Sequence, residues 1–167
     1  SQLSQLITLG RRRARKGECK ICLKDVLAHS KGQIFISLPP PEWNNTYTAH
    51  LSYLQKTLTH NIWLAACCRY NGNDAAQLWK LAQLSAETSV PMVATNDVCM
   101  HVSDRKPLMD VITCIREHCT IDQAGFNLAA NAERHLKRPE EMARLFRHYP
   151  EAVSRSIKIA ELCTFSL

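Results

Sequence analysis

Short apolar runs alternate with helix-like segments between residues 33 and 95, and this alternation limits the possible folds more than any other feature of the chain. Apolar runs typical of buried strands occur at 33–38, 61–68 and 92–94. Between them, apolar side chains recur at helical spacing over 43–58 and 75–88. The order strand, helix, strand, helix, strand favours parallel strands joined by right-handed crossovers. The sequence therefore predicts an α/β fold.

Helices alone are predicted after residue 101. A helix is expected over 103–118, with Leu108, Val111, Ile112 and Ile115 on its apolar face. Two more helices begin near residues 139 and 150, because each position has a proline followed directly by glutamate. Proline fits the first turn of a helix, and acidic side chains stabilise its positive N-terminal end.

Polar and chemically reactive side chains follow the third predicted strand directly. Asn96 and Asp97 end the apolar run, and Cys99 and His101 come next. Functional groups collect at the carboxyl ends of parallel strands, so these side chains are candidates for a site. We expect them to lie near the end of the second strand, at 67–70. An ordinary loop that uses Asn96 and Asp97 as turn residues explains the pattern equally simply.

The formal net charge of +6 lies in one segment. Residues 11–24 carry seven basic side chains and one acidic one, whereas the rest of the chain carries 14 basic and 14 acidic side chains. The basic side chains are Arg11, Arg12, Arg13, Arg15, Lys16, Lys20 and Lys24. They form either a patch that contacts phosphates or a solvated helix end, where cations are stabilised by the negative C-terminal end of the helix dipole.

Other features narrow the class of protein. The chain has eight cysteines but no secretory signal, which favours reduced thiols in the cytoplasm. The lone C-x-x-C at 19–22 lacks the second pair of ligands that a zinc site needs. No apolar run approaches the length of a membrane span, so no membrane partner is expected. The chain starts without methionine inside a predicted helix, and we expect it to be a piece of a longer protein.

Several short motifs, in order and at consistent spacing, resemble one protein family. The chain is similar to the PHP (polymerase and histidinol phosphatase) domain of bacterial C-family DNA polymerases, the type of the DNA polymerase III α-subunit. Within that family it looks most like the error-prone, damage-inducible branch. The matching stretches are 6–12, 16–19, 70–74, 91–97, 108–116, 131–137 and 139–146.

This resemblance implies a specific architecture. Residues 1–135 would be the later part of a PHP-type distorted (β/α)₇ barrel, and residues 136–167 a helical segment leading toward the polymerase palm. The family's first metal motif, an H-x-H, would precede Ser1. The palm carboxylates that bind catalytic Mg²⁺ would follow Leu167, so we expect no polymerase activity from this piece by itself.

The resemblance also locates one corner of a metal site. Metal-binding members carry T-N-D-x-H at the third strand, with Asp and His as ligands of Zn²⁺ or Mn²⁺. Here Asp97 matches the aspartate, whereas Cys99 stands at the histidine position and His101 lies two residues too late. The implied metal residues are thus Asp97 and Cys99, and the loss of the histidine favours a domain that serves as a structural scaffold.

The functions implied by the resemblance are those of the whole enzyme. It would be a DNA-directed DNA polymerase for damage-induced translesion synthesis, with DNA, a sliding clamp and accessory mutagenesis proteins as partners. Arg11, Arg12, Arg13, Arg15 and Lys16 are the candidate contacts to DNA or a partner. The alternative is a metal-dependent PHP phosphoesterase or 3′–5′ exonuclease. The absence of an H-x-H among the seven histidines weakens this alternative.

Overall fold

The structure, a computed structural model, describes residues 1–58 and 61–164 and is a mixed α/β fold, as predicted. Among the described residues, three strands form one sheet with the order β1-β2-β3, and two short 3₁₀ turns occur at Ser103–Arg105 and Gly125–Asn127. The elements are α1 (Gln2–Arg12), α2 (Leu23–Ala28), β1 (Phe35–Ser37), α3 (Asn45–Thr57), β2 (Ile62–Cys67), α4 (Asp74–Thr88), β3 (Met92–Thr95), α5 (Lys106–Glu117), α6 (Ile121–Ala124), α7 (Pro139–Leu145) and α8 (Pro150–Leu162). The chain divides into two compact units, Ser1–Leu64 with Leu84–Pro91 and Ala65–Gln83 with Met92–Leu167, and the described part of the second ends at residue 164.

In the first unit, α1 packs closely against the chain that follows it. The main-chain N–H of Lys20 donates to the carbonyl of Gly10 at 3.0 Å. A Cβ atom on Gly10 would lie 2.6 Å from both Cys19 Sγ and Ile21 Cγ1. Glycine at position 10 therefore permits an approach that a side chain would obstruct.

The first unit also contains the pairing of β1 with β2. The two strands are parallel, and the Cα partners are Phe35 with Ile62, Ile36 with Trp63 and Ser37 with Leu64. Leu64 donates its N–H to the carbonyl of Pro91 at 2.9 Å. Ile62, Trp63 and Leu64 are buried. The first strand, predicted over 33–38, is shorter in the structure and spans Phe35–Ser37.

The second unit begins with the last residues of β2 and contains β3 and the C-terminal helices. Helix α8 packs on β3, and Arg155 Nη1 donates to the carbonyl of Met92 at 2.9 Å. Phe146 and Ala152 are fully buried beside the turn between α7 and α8. Both helices begin at their proline, as predicted.

Within the described residues, no helix is long and apolar enough to cross a lipid bilayer. The boundary expected at residues 135 and 136 remains a prediction, as does membership of a PHP-type barrel. The last three residues of the predicted segment 136–167 lie outside the described residues.

Candidate functional site at the ends of strands β2 and β3

The ends of β2 and β3 meet, as the predicted topology required. Cys67 Sγ, at the end of β2, lies 3.0 Å from Thr95 Oγ1, at the end of β3. Two residues beyond the end of each strand, Arg69 Nη2 donates to Asp97 Oδ2 at 2.8 Å. Parallel neighbours bring their carboxyl ends to one edge of a sheet, and the residues that follow them share that edge.

Asp97 forms ion pairs with two arginines. Besides Arg69, Arg134 places Nη2 3.0 Å from Asp97 Oδ2, and its Nε donates to the Asp97 carbonyl at 2.9 Å. Asp97 has a positive φ of 44°, a conformation that aspartate and asparagine tolerate better than most residues. One carboxylate thus joins the chain after β2, the chain after β3 and the later segment that carries Arg134.

The segment 131–137 is held against the end of β3 by further hydrogen bonds. Asn96 Nδ2 donates to the main-chain carbonyls of Glu133, at 3.0 Å, and of His135. Met100 and His135 form a parallel β-bridge, and the N–H of Cys99 donates to the Arg134 carbonyl at 2.9 Å. The predicted site residues Asp97 and Cys99 therefore lie in a loop that is braced on one side by a distant part of the chain.

Two thiols at this edge are held in their protonated form. Burial raises the pKa of Cys67, and it raises the pKa of Cys68 to about 11. The nucleophilic and metal-binding form of cysteine is the thiolate, so neither side chain is activated near neutral pH. Cys99 is exposed, and its Sγ lies 3.7 Å from the Asp97 carbonyl.

The donor groups around Asp97 do not fit a metal ion by themselves. Over residues 1–58 and 61–164, no group of three or more His, Cys, Asp or Glu side chains is arranged to hold one. A structural zinc site takes four ligands and a catalytic site three. The Asp97 carboxylate also faces two guanidinium groups, whose positive charge opposes a cation. A metal at Asp97 and Cys99 remains a prediction that needs ligands from elsewhere.

A second ionic cluster lies in the same unit. The Tyr70 hydroxyl donates to Glu141 Oε1 at 3.1 Å and accepts from Arg144 Nη2 at 2.9 Å, and Arg144 forms two hydrogen bonds with Glu141. The Arg144 hydrogen bonds lower the pKa of Glu141 to about 2. Lys137 Nζ lies 5.8 Å from the centre of the Tyr70 ring, within cation–π range.

The predicted contact residues of the basic segment fall into two classes. Arg13 pairs with the buried Asp25, with Nη2 3.1 Å from Oδ1, and this hydrogen bonding lowers the pKa of Asp25. The remaining four side chains are exposed and form no salt bridge in the described part of the chain: Arg11, Arg12, Arg15 and Lys16. They are available to a partner, whereas Arg13 stabilises the local fold.

Sequence reasoning missed Arg69, Arg134 and Asn131. Arg69 follows β2 at a position where functional groups are expected, so the strand-end rule could have found it. Arg134 and Asn131 come from a stretch without helical or strand periodicity, and Asn131 Nδ2 donates to the Arg69 carbonyl at 2.8 Å. No local signal in the sequence marks the partner of either side chain.

Comparison with known proteins gives a consistent result. No family model matches the chain. Proteins named error-prone DNA polymerase match over 166 residues in Caulobacter vibrioides, at 46% identity, and in Ruegeria pomeroyi, at 45%. Error-prone DNA polymerase 1 of Agrobacterium fabrum is 40% identical over 166 residues. Each match covers 99% of this chain and 15% of the relative's length. The resemblance to error-prone DNA polymerases is therefore confirmed along nearly the whole chain, as similarity to one segment of those enzymes.

Proposed function

We propose that this chain is a segment of an error-prone DNA polymerase and that it supports the enzyme without carrying its polymerase chemistry. The whole enzyme would transfer nucleotides to a primer end on damaged templates, with Mg²⁺ held by a palm domain beyond this chain. Identities of 40–46% over 99% of the chain support the assignment. Within the enzyme, the segment would be the later part of a PHP-type distorted (β/α)₇ barrel with helices leading to the palm.

The double ion pair of Asp97 is the observation that carries the supporting role. Both guanidinium groups donate to the same carboxylate oxygen, Oδ2, at 2.8 and 3.0 Å. Hydrogen bonds between ionised groups are short and strong, and here they join parts of the chain that are far apart in sequence. A metal ion at this oxygen would have to displace both arginines. The strand end is therefore arranged to hold the loops together.

Metal analysis of the intact purified protein, together with nuclease assays, tests this role. We expect neither Zn²⁺ nor Mn²⁺ in stoichiometric amount after dialysis, and no 3′–5′ exonuclease activity that depends on Asp97. Bound metal that disappears in Asp97→Asn, together with a nuclease activity lost in the same variant, would overturn the scaffold proposal. Asp104→Asn is the matched control, because Asp104 is an exposed aspartate outside this cluster.

DNA contact through the basic segment is a separate part of the proposal. The exposed side chains of Arg11, Arg12, Arg15 and Lys16 lie at and just beyond the C-terminal end of α1. Four phosphate contacts would contribute about 3–4 to the slope of log affinity against log salt for duplex DNA. Changing these four residues to glutamate should weaken binding and reduce that slope. Control variants Lys31→Glu and Lys158→Glu change exposed cations elsewhere, and equal losses in both sets would refute a specific contact.

The other partners belong to the whole enzyme. A sliding clamp and accessory mutagenesis proteins would bind the parent polymerase in the cytoplasm, where bacterial DNA is replicated. Co-elution of the intact protein with purified clamp on a sizing column tests the first of these contacts, and separate elution at micromolar concentration would argue against it.

A further inference from the structure

A cleft of about 370 Å³ lies in the second unit, beside the residues that follow β2. Its walls include the buried Leu78, the half-buried Tyr149 and the exposed Trp79. Arg144 and Arg147 bring positive charge to the same cleft. The ion pairs of Asp97 do not use this space, and no part of the proposed function accounts for it.

The cleft is built on fixed elements. Trp79 belongs to α4, and Tyr149 is the N-cap residue of α8. The side chain of Phe146 is buried, and its carbonyl accepts from the Tyr149 N–H at 2.8 Å, which fixes the turn that carries Arg147. On the other side, the hydrogen bond from Arg144 to the Tyr70 hydroxyl holds one wall. The backbone that carries the aromatic and cationic side chains therefore belongs to regular elements and a hydrogen-bonded turn.

The charges in the cleft are unequally neutralised. Arg144 is paired with Glu141. The carboxylate of Asp74 accepts the main-chain N–H groups of Arg69, at 2.9 Å, and Tyr70, at 2.8 Å. Among the described residues Arg147 has no carboxylate partner, and its Nε donates to His148 Nε2 at 3.1 Å. The two terminal nitrogens of Arg147 can thus donate to an anion.

We propose that this cleft binds one nucleotide unit, with its base stacked on Trp79 and its phosphate held by Arg147. An indole that is 59% exposed offers a flat apolar face, on which bases of any sequence can stack. Guanidinium matches phosphate in charge and in its paired donors. The volume lies at the lower end of the range for small-ligand sites, so it suits a single nucleotide better than a larger ligand. The unit is either a free nucleotide or one residue of single-stranded DNA. The inference rests on the chemistry of the cleft and does not depend on the polymerase assignment.

Binding of a fluorescently labelled (dT)₁₀ to the intact protein, followed by anisotropy, tests the site. We expect Trp79→Ala and Arg147→Ala each to weaken binding about tenfold, within the usual range for loss of one stacking platform. Trp79→Phe should retain most of the affinity, because an aromatic face remains. Tyr53→Ala and Arg138→Ala, an exposed aromatic and an exposed cation outside the cleft, should bind as the wild type does.

Competition by thymidine 5′-monophosphate identifies the source of the nucleotide. Displacement of the oligonucleotide shows a site for a free nucleotide, whereas binding of (dT)₁₀ that needs Trp79 and resists competition shows a site for single-stranded DNA. Both results support the proposal. The proposal is overturned if (dT)₁₀ does not bind, or if Trp79→Ala binds it like the wild type. A loss of binding in Arg147→Ala alone would also overturn it, because a site that needs only the cation is what an acidic peptide would use. Primer extension by the same preparations reports separately on the polymerase assignment.

Discussion

Replacing Asp97 by asparagine removes the negative charge that joins Arg69 and Arg134 and leaves the shape of the side chain unchanged. Asparagine is the suitable replacement, because Asp97 has a positive φ of 44° that asparagine also accepts. Alanine would add backbone strain to the loss of charge. The substitution therefore measures the ion pairs rather than the conformation of the loop.

The expected loss follows from the exposure of the three side chains. The Asp97 side chain is 22% exposed, Arg134 33% and Arg69 47%. Solvent screens the Arg69 pair most, and exposed pairs contribute about 0.2–1 kcal/mol each. Two such pairs on one carboxylate give a loss of up to about 2 kcal/mol in the free energy of unfolding. For a chain of this size, that lowers the midpoint of thermal unfolding by up to about 8 °C.

Thermal unfolding of the intact protein, followed by circular dichroism in buffer with a chelator, provides the measurement. The difference between wild type and Asp97→Asn should shrink in 1 M salt, because salt screens partly exposed charges. Asp104→Asn should stay within about 0.5 kcal/mol of the wild type. Equal unfolding midpoints of wild type and Asp97→Asn in chelator would refute the ion-pair reasoning. A midpoint raised by Zn²⁺ or Mn²⁺ only in the wild type would assign the carboxylate to a cation instead.

Three further results are expected. Gly10→Ala should destabilise the protein by about 1 kcal/mol or more, because the added Cβ would lie 2.6 Å from Ile21 Cγ1. Urea unfolding measures this loss, and a gain in stability would contradict the close approach. The carboxyl of Glu141 should titrate with a pKa of about 2 by NMR, and Arg144→Met should raise this pKa toward the ordinary 4.5. Because the pKa is lowered in the folded protein, the stability that this pair contributes is present above pH 4.5 and is lost as the pH falls toward 2. Asn96→Ala should lower the free energy of unfolding by about 1–3 kcal/mol, because it leaves two main-chain carbonyls without this donor, and an unchanged unfolding curve would count against that contact.

The elements that were predicted well are those with a local cause. The continuous apolar run around β2 is buried, as expected for a strand covered on both faces. Pro139 and Pro150 mark the first residues of α7 and α8, because proline lacks only a donor that the first turn does not use. These signals depend on neighbours within one or two turns, so the amino-acid sequence contains all the information they need.

The partners of the strand-end residues depend on contacts that the sequence does not encode locally. Asp97 was predicted as a site residue, but its arginines are 28 and 37 positions away. The side chain of Asn96 meets carbonyls 37 and 39 positions away, in a segment without regular periodicity. Residue type and motif located the carboxylate, and only the fold shows what neutralises it.

The position of the two arginines makes metal binding and loop bracing compete for one oxygen. Both guanidinium groups bond to Asp97 Oδ2, and the Nε of Arg134 also bonds to the Asp97 carbonyl. A cation that took this oxygen would release Arg69 entirely, whereas Arg134 would keep its bond to the main chain. Metal affinity at Asp97 would thus be reduced by the free energy of both ion pairs, and Arg69→Gln should raise it. This competition explains how a carboxylate at the position of the predicted metal motif can instead stabilise the fold.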